Sequence, residues 1–214
     1  MSGEKKRMPH QRASRTISLI LLLGITPVFA ARGWPRPAAA PAGGITLTLD
    51  PAKSKVTWTL GSTLHTVHGT FNLKSGTLKL DPTTGSATGE FVVYASSGES
   101  GNDGRDKKMH KEILESERYP EIVFRPSKIE GPVPVQGACH VQLRGTFLLH
   151  GSEHEIIVPV QAELSGTQWK GSSSFSIPYV QWGLKSPNTF LLKADPAVQI
   201  ELELNGSLQA TPAN

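Results

Sequence analysis

The stretch CHVQLRGTFLLHGSEHEIIVPVQAEL, residues 139–164, decides the fold. Cys139, Val141, Leu143, Gly145, Phe147 and Leu149 alternate with His140, Gln142, Arg144, Thr146, Leu148 and His150. A period of two puts the first set on one face of a strand and the second, mostly polar, set on the other. His150-Gly151-Ser152-Glu153 reads as a hairpin turn, and the return strand carries Ile156, Val158, Val160, Ala162 and Leu164. One apolar face and one wet face are the mark of an antiparallel sheet.

The same period runs outward in both directions. Upstream, Val56, Trp58 and Leu60 share a face, as do Val67, Gly69, Phe71 and Leu73, with Leu78 and Leu80 following a kink at Ser75-Gly76. Asp81-Pro82-Thr83-Thr84-Gly85 is a turn cluster, after which Ala87, Gly89, Phe91, Val93 and Ala95 alternate again. Ile122-Val123-Phe124 forms a further strand. Downstream come Trp169, Gly171, Ser173, Phe175 and Ile177, then Val198, Ile200, Leu202 and Leu204 against outward Gln199, Glu201 and Glu203. The pattern predicts an all-β chain, an antiparallel barrel of about eight strands, since closure removes exposed edges. Residues 100–115 are the exception. Asn102 or Asp103 suits a helix start, and Met109 and Ile113 are four apart with Leu114 beside them, so one short helix is inserted.

Length and charge narrow the function. A chain of 214 residues suits one domain, and 21 Gly with 16 Pro suits many turns. The formal charge of +4 resides in the first 30 residues, where Lys5, Lys6, Arg7, Arg12 and Arg15 face Glu4 alone. Residues 31–214 carry 17 Lys and Arg against 17 Asp and Glu, so the body has no field to attract nucleic acid. A single cysteine, Cys139, excludes an intrachain disulfide framework. The inward alternation makes it a small core group rather than a nucleophile. Neither a GxSxG elbow nor a GxxxxGK loop is present, and no enzyme activity and no cofactor are expected. His65, His68, His110, His150 and His154 raise the question of a metal. A zinc or copper site needs three or four convergent ligands, and only His150 and His154, flanking the turn, would approach each other. Surface histidines are the reading adopted.

The basic start leads into the apolar run Ile17–Phe29, too short for a span of about 20 residues, with Val28-Phe29-Ala30 before a cut after Ala30. These are the three regions of a signal peptide at residues 1–30. An exported protein, periplasmic or secreted, with no stable membrane span after cleavage is expected. Residues 31–44 (ARGWPRPAAAPAGG) read as a flexible spacer, and 45–210 as the barrel domain.

The inward face mixes Trp58, Phe71, Phe91, Phe147 and Phe175 with small residues, among them Gly69, Gly89 and Gly145. Two interiors fit: an elongated apolar cavity, or a filled barrel in which small residues accommodate taper and bulges. A family resemblance bears on the choice. Gly104-Arg105-Asp106-Lys107-Lys108-Met109-His110, then Ile113-Leu114-Glu115 and Tyr119-Pro120-Glu121-Ile122-Val123-Phe124, resemble the signature of the YceI-like family. His68-Gly69-Thr70-Phe71 and Gly145-Thr146-Phe147-Leu148-Leu149-His150-Gly151 support it. The stretch Phe175–Leu184 departs from the family's usual Asp-Phe-Gly-rich segment, and the histidines are more numerous.

The resemblance implies a lipocalin-like barrel that binds a polyisoprenoid or related lipid, and so favours the cavity. The residues expected to face the ligand are Trp58, Phe71, Phe91, Val93, Phe124, Phe147, Phe175 and Trp182, with Met109, Ile113 and Leu114 covering the opening. Arg105 and Asp106 are expected at the barrel mouth, either meeting a headgroup or serving as an ion pair or cap. The ligand is expected to be an isoprenoid-type lipid such as a quinone or polyprenyl chain. An interaction or stress-response protein with a filled barrel is the alternative, and pairing of two barrels into a homodimer is compatible with either.

Overall fold

The computed structural model describes residues 43–210; the expected signal peptide and all but the end of the expected spacer lie outside the described residues. Ten strand segments follow in order: β1 (Ile45–Leu49), β2 (Lys55–Leu60), β3 (Val67–Phe71), β4 (Leu73–Asp81), β5 (Ser86–Tyr94), β6 (Glu121–Glu130), β7 (Gly137–Leu149), β8 (Ser152–Ser165), β9 (Gln168–Ile177) and β10 (Val198–Ala210). All pairings are antiparallel, and the sheet closes through β1 and β10.

Ten segments fill only eight positions around the barrel. Strand β10 pairs with β1 over Gly206–Ala210 and with β2 over Gln199–Glu203, so β1 and β2 share one position. Between them Pro51, which has no N–H to give a ladder, opens a single 3-10 turn whose first free N–H groups are met by the Asp50 side chain, on Ala52 N at 3.1 Å. In the same way β3 pairs with β2 and β4 with β1, interrupted at Asn72. The expected eight-stranded antiparallel barrel with one short helical insertion is thus the observed fold.

The short connections are chemically specified. The β7–β8 hairpin has a two-residue loop with both residues left-handed, His150 at φ 52° and Gly151 at φ 76°. That twist matches the flanking strands. In the β4–β5 turn the Asp81 carboxylate accepts from Thr83 N at 2.8 Å and from Thr84 Oγ1 at 2.8 Å, and Gly85 takes φ 73°.

The two ends of the barrel differ. At the end marked by Ile45, Leu80 and Ile129 the connections are short (82–85, 131–136, 166–167). At the other end lie 61–66, 95–120 and 178–197, together with the 150–151 turn. One wall is also split. Strands β8 and β9 pair only over Gln161–Ser165 against Gln168–Ser172. Further up, Pro159 presents its carbonyl to β9, where Ser173 Oγ donates to it at 2.5 Å, and has no N–H to continue the ladder. The gap is covered by the turn after β9, whose Tyr179 and Leu184 pack with Phe147, Leu149 and Ile177.

Closure depends on a close approach at Gly206. A Cβ there would lie 2.0 Å from the Thr48 carbonyl oxygen and 2.6 Å from Trp169 Nε1. Gly206→Ala is expected to force β10 away from β1 and cost about 1–3 kcal/mol, as overpacking does. Thermal unfolding should show a midpoint several degrees below wild type.

Candidate functional site

The barrel encloses a cavity of about 560 Å³. Its lining comes from every barrel strand and is apolar through most of its length. No carboxylate is among the lining groups. Deep in the barrel the walls are Ile45, Leu80, Ile129, Leu164 and Trp169. Two polar groups higher up are satisfied by the chain itself, Ser173 through Pro159 O and Tyr179, whose hydroxyl donates to Asp195 O at 2.8 Å, whereas the buried Trp58 Nε1 meets no acceptor. Cys139 also lines the wall, and burial pushes its thiol up, which keeps it protonated and apolar in character. The interior is therefore not filled, and the filled-barrel alternative does not describe it.

The charged and strongly polar lining groups gather at one end. They are Ser62 and His65 from the loop after β2, and Arg105 and Lys108 from α1 (Asp103–Lys108). Pro187, Leu192 and Ala194 complete this mouth. Asn102 caps α1, its side-chain oxygen accepting from Arg105 N at 2.9 Å. The helix then widens into a π turn over Met109–Ile113, where Leu114 N donates to Met109 O at 2.9 Å. A wider turn brings Ile113 and Leu114 together beneath Met109, and all three face the cavity.

Arg105 and Asp106 meet through Ser100 rather than through each other. Arg105 Nε donates to Ser100 Oγ at 2.7 Å and Nη2 to Ser100 O at 2.9 Å. The Ser100 hydroxyl and N–H both donate to the Asp106 carboxylate, the latter at 3.1 Å. Burial works against the Asp106 charge, but these donors and the Arg105 guanidinium outweigh it and hold the carboxyl below its ordinary range. Of the two, Arg105 lines the mouth and Asp106 does not. Asp106 is a clamp on the loop that carries the helix.

Of the side chains expected to face a ligand, Trp58, Phe71, Phe91, Val93, Met109, Ile113, Leu114, Phe124, Phe147 and Phe175 all line this one cavity. Trp182 does not. The turn after β9, closed by Trp182 N on Pro178 O at 3.0 Å and Leu184 N on Tyr179 O at 3.0 Å, directs Tyr179 and Leu184 inward instead. Trp182 lies flat on His154 of β8, ring centroids 4.2 Å apart and planes within 1°. Its other aromatic neighbour is Phe147, with ring centroids 5.7 Å apart. No periodicity announces such a placement.

The glycines also act differently from expectation. Gly69, Gly89 and Gly145 do not line the cavity. A Cβ at Gly69 would lie 2.3 Å from the Trp58 ring, and one at Gly145 would lie 2.3 Å from Arg125 O and 2.8 Å from the Phe124 ring. Gly69 and Gly145 let the Trp58 and Phe124 rings lie against the wall, whereas Gly89, where a Cβ would lie 2.1 Å from Thr77 O, permits a close approach of backbone to backbone. The histidines do not converge. His68 Nδ1 meets Thr59 Oγ1 at 2.9 Å, His150 faces Glu115 at 3.2 Å, and His154 is under Trp182. Among the described residues no three His, Cys, Asp or Glu side chains come together.

A closed eight-position antiparallel barrel with a deep apolar cavity and a polar mouth has the architecture of the lipocalin-like class. The chain belongs to the YceI-like family, whose domain model matches residues 47–206. Among solved structures it is similar to BcnA of Burkholderia cenocepacia, at 19% identity and TM-score 0.60, covering 73% of this chain and 98% of that one. It is also similar to a polyisoprenoid binding domain from Saccharophagus degradans implicated in plant cell wall breakdown, at 18% identity and TM-score 0.57, covering 79% of this chain and 100% of that one. No curated protein matches the sequence.

The Asp106 clamp has a pH signature. A carboxyl with a depressed pKa contributes fully at neutral pH, and the contribution is lost as pH falls through the lowered value. Asp106→Asn should therefore destabilise the protein at pH 7, with the difference from wild type closing below the ordinary carboxylate range. Urea unfolding across a pH series measures it.

Proposed function

We propose that the protein is an exported carrier that holds an isoprenoid-type lipid, a polyprenyl chain or a quinone, inside the barrel. The observation that carries this reading is the cavity itself. The apolar lining of this cavity of about 560 Å³ lacks the dispersion contacts of a filled core, which an apolar occupant would supply. The cavity's size falls in the range of small-molecule sites, roughly 300–1,000 Å³. A hydrocarbon tail suits it, gaining about 0.8 kcal/mol for each methylene removed from water, whereas an ionised substrate would find no partner on the walls.

Two further observations support the ligand class. The family and a structural relative described as a polyisoprenoid binding domain point to a branched apolar chain. The polar groups Ser62, His65, Arg105 and Lys108 at the mouth allow a headgroup to remain in water while the tail is buried. Export follows from the basic, apolar and small-residue regions of residues 1–30. A lipid in such a barrel crosses an aqueous gap that it would not cross alone. The proposed role is binding, and no chemical step is assigned to the protein.

The test is mass spectrometry of protein purified without detergent from the cells that make it. The intact mass should correspond to a chain beginning at Ala31, and solvent extraction should release one hydrocarbon-tailed molecule per chain. Ala162→Phe, which adds a ring to a cavity-lining position, should fold yet release a shorter chain or at least tenfold less lipid. A wild-type protein that is lipid-free and ignores added polyprenols and quinones would overturn the carrier reading.

A further inference from the structure

The cavity has a polar mouth at one end and a blind floor at the other. Trp169, near the start of β9, is a buried part of that floor. Its indole crosses the inner face of β10 to reach β1, where Nε1 donates to Thr48 O at 3.4 Å. Two glycines let it lie there. A Cβ at Gly206 of β10 would stand 2.6 Å from Nε1, and one at Gly171 would stand 3.0 Å from the far edge of the ring. The ring is thus fixed at both edges, in one apolar cluster with Leu164, Leu80 and Ile129. Val133, from the connection after β6, packs against the same cluster. At this end the interior is filled. Ala87 and Leu208, paired with Leu80 and Leu47, are buried in the cluster, and neither is on the cavity wall.

A blind cavity measures what enters it. At ~30 Å³ for each water-sized group, 560 Å³ has room for about 19 carbons. Length agrees. From Trp169 up to Ile177, both on the wall, β9 rises roughly 20 Å along the barrel axis, at about 3.3 Å per residue and a tilt of about 40°. An extended chain gains about 3.8 Å over three bonds, so an isoprene unit advances about 5 Å. Volume and length both give about four units. Cys139 and Ala162, paired across β7 and β8, stand one inward-facing level above Leu164 and Trp169. Both are small, so a chain end passes them and meets the indole.

We propose that the barrel gauges the tail of its cargo, with Trp169 as the stop: it takes about four isoprene units, and any further carbons stay outside the mouth. The inference rests on the carrier reading and adds to it the length of chain that is held.

Thermal unfolding tests it, on mature protein stripped of lipid and then saturated in turn with linear prenols of two to nine units. Each unit up to four should tighten binding at least tenfold and raise the midpoint. Beyond four the midpoint should stay level, because carbons outside the mouth add no burial. Trp169→Ala removes an indole larger than one unit and should move the break to about five or six units. Ala162→Phe leaves the floor in place, fills about one unit of the space above it and should move the break to about three. It carries the test if Trp169→Ala does not fold. A variant that is merely less stable would lower every midpoint alike and keep the break at four. A midpoint that climbs without a break to nine units overturns the gauge and leaves the carrier reading standing. So does a break that stays at four in each variant that folds. A wild type whose midpoint no prenol shifts overturns the carrier reading, and the gauge with it.

Discussion

Everything in this molecule depends on keeping apolar walls apart. Eight strand positions make a barrel whose interior side chains can just meet or just fail to meet. Here they fail to meet. The large aromatics are laid against the wall: Trp58 over Gly69 and Phe124 over Gly145. Each glycine removes the Cβ that would push a ring towards the axis. The result is a cavity of about 560 Å³ bounded by rings and branched aliphatics, which water wets poorly and a hydrocarbon fills well. The same choice forgoes the dispersion contacts of a filled core, which an apolar occupant would restore.

The two ends share this burden unequally. At the closed end, short turns and long ladders carry the structure, with β1, β4 and β10 held together where Gly206 passes under Thr48 and Trp169. At the open end, Pro159 stops the β8–β9 ladder and all the long connections gather. Above the split, side-chain packing, Trp182 on His154 and Tyr179 in one cluster with Phe147, stands where ladder bonds would otherwise be.

The strands were legible because alternation is a direct consequence of one buried and one wet face. From Val56 to Leu204 the inward set named from the sequence contains most of the observed lining. The short helix was legible from Asn102 and the Met109–Ile113 spacing. Four features were not. Trp182 follows a strand and so reads as a continuation of its inward face, but the turn after Pro178 sets it half-buried between His154 and Phe147 and off the cavity wall. The glycines read as space because their close neighbours, Trp58 in another strand and Phe124 in another, are set by register and not by sequence distance. The mouth groups Ser62, His65, Pro187 and Leu192 lie in irregular segments, where residue spacing carries no facing information. Pro159 was visible as a residue but not as the cause of a split, since a proline within a strand has that effect only on the side where its missing N–H would have pointed.

The Ser100 node explains how an irregular end can still hold its geometry. The segment between β5 and β6 is long and makes few ladder contacts, so its position must come from side chains. Arg105 and Asp106, adjacent in sequence, would repel or ignore the same partner if they were alike. Being opposite in charge, they use the Ser100 hydroxyl as acceptor and donor at once. Both ends of one hydroxyl are therefore spent on the first turn of α1, which fixes the helix origin against the loop. The π turn that follows then has a defined start, and its wider pitch sets Met109, Ile113 and Leu114 over the cavity together. A sequence signature of two charged residues before a helix is, on this geometry, a device for aiming three apolar side chains that lie up to nine residues further on.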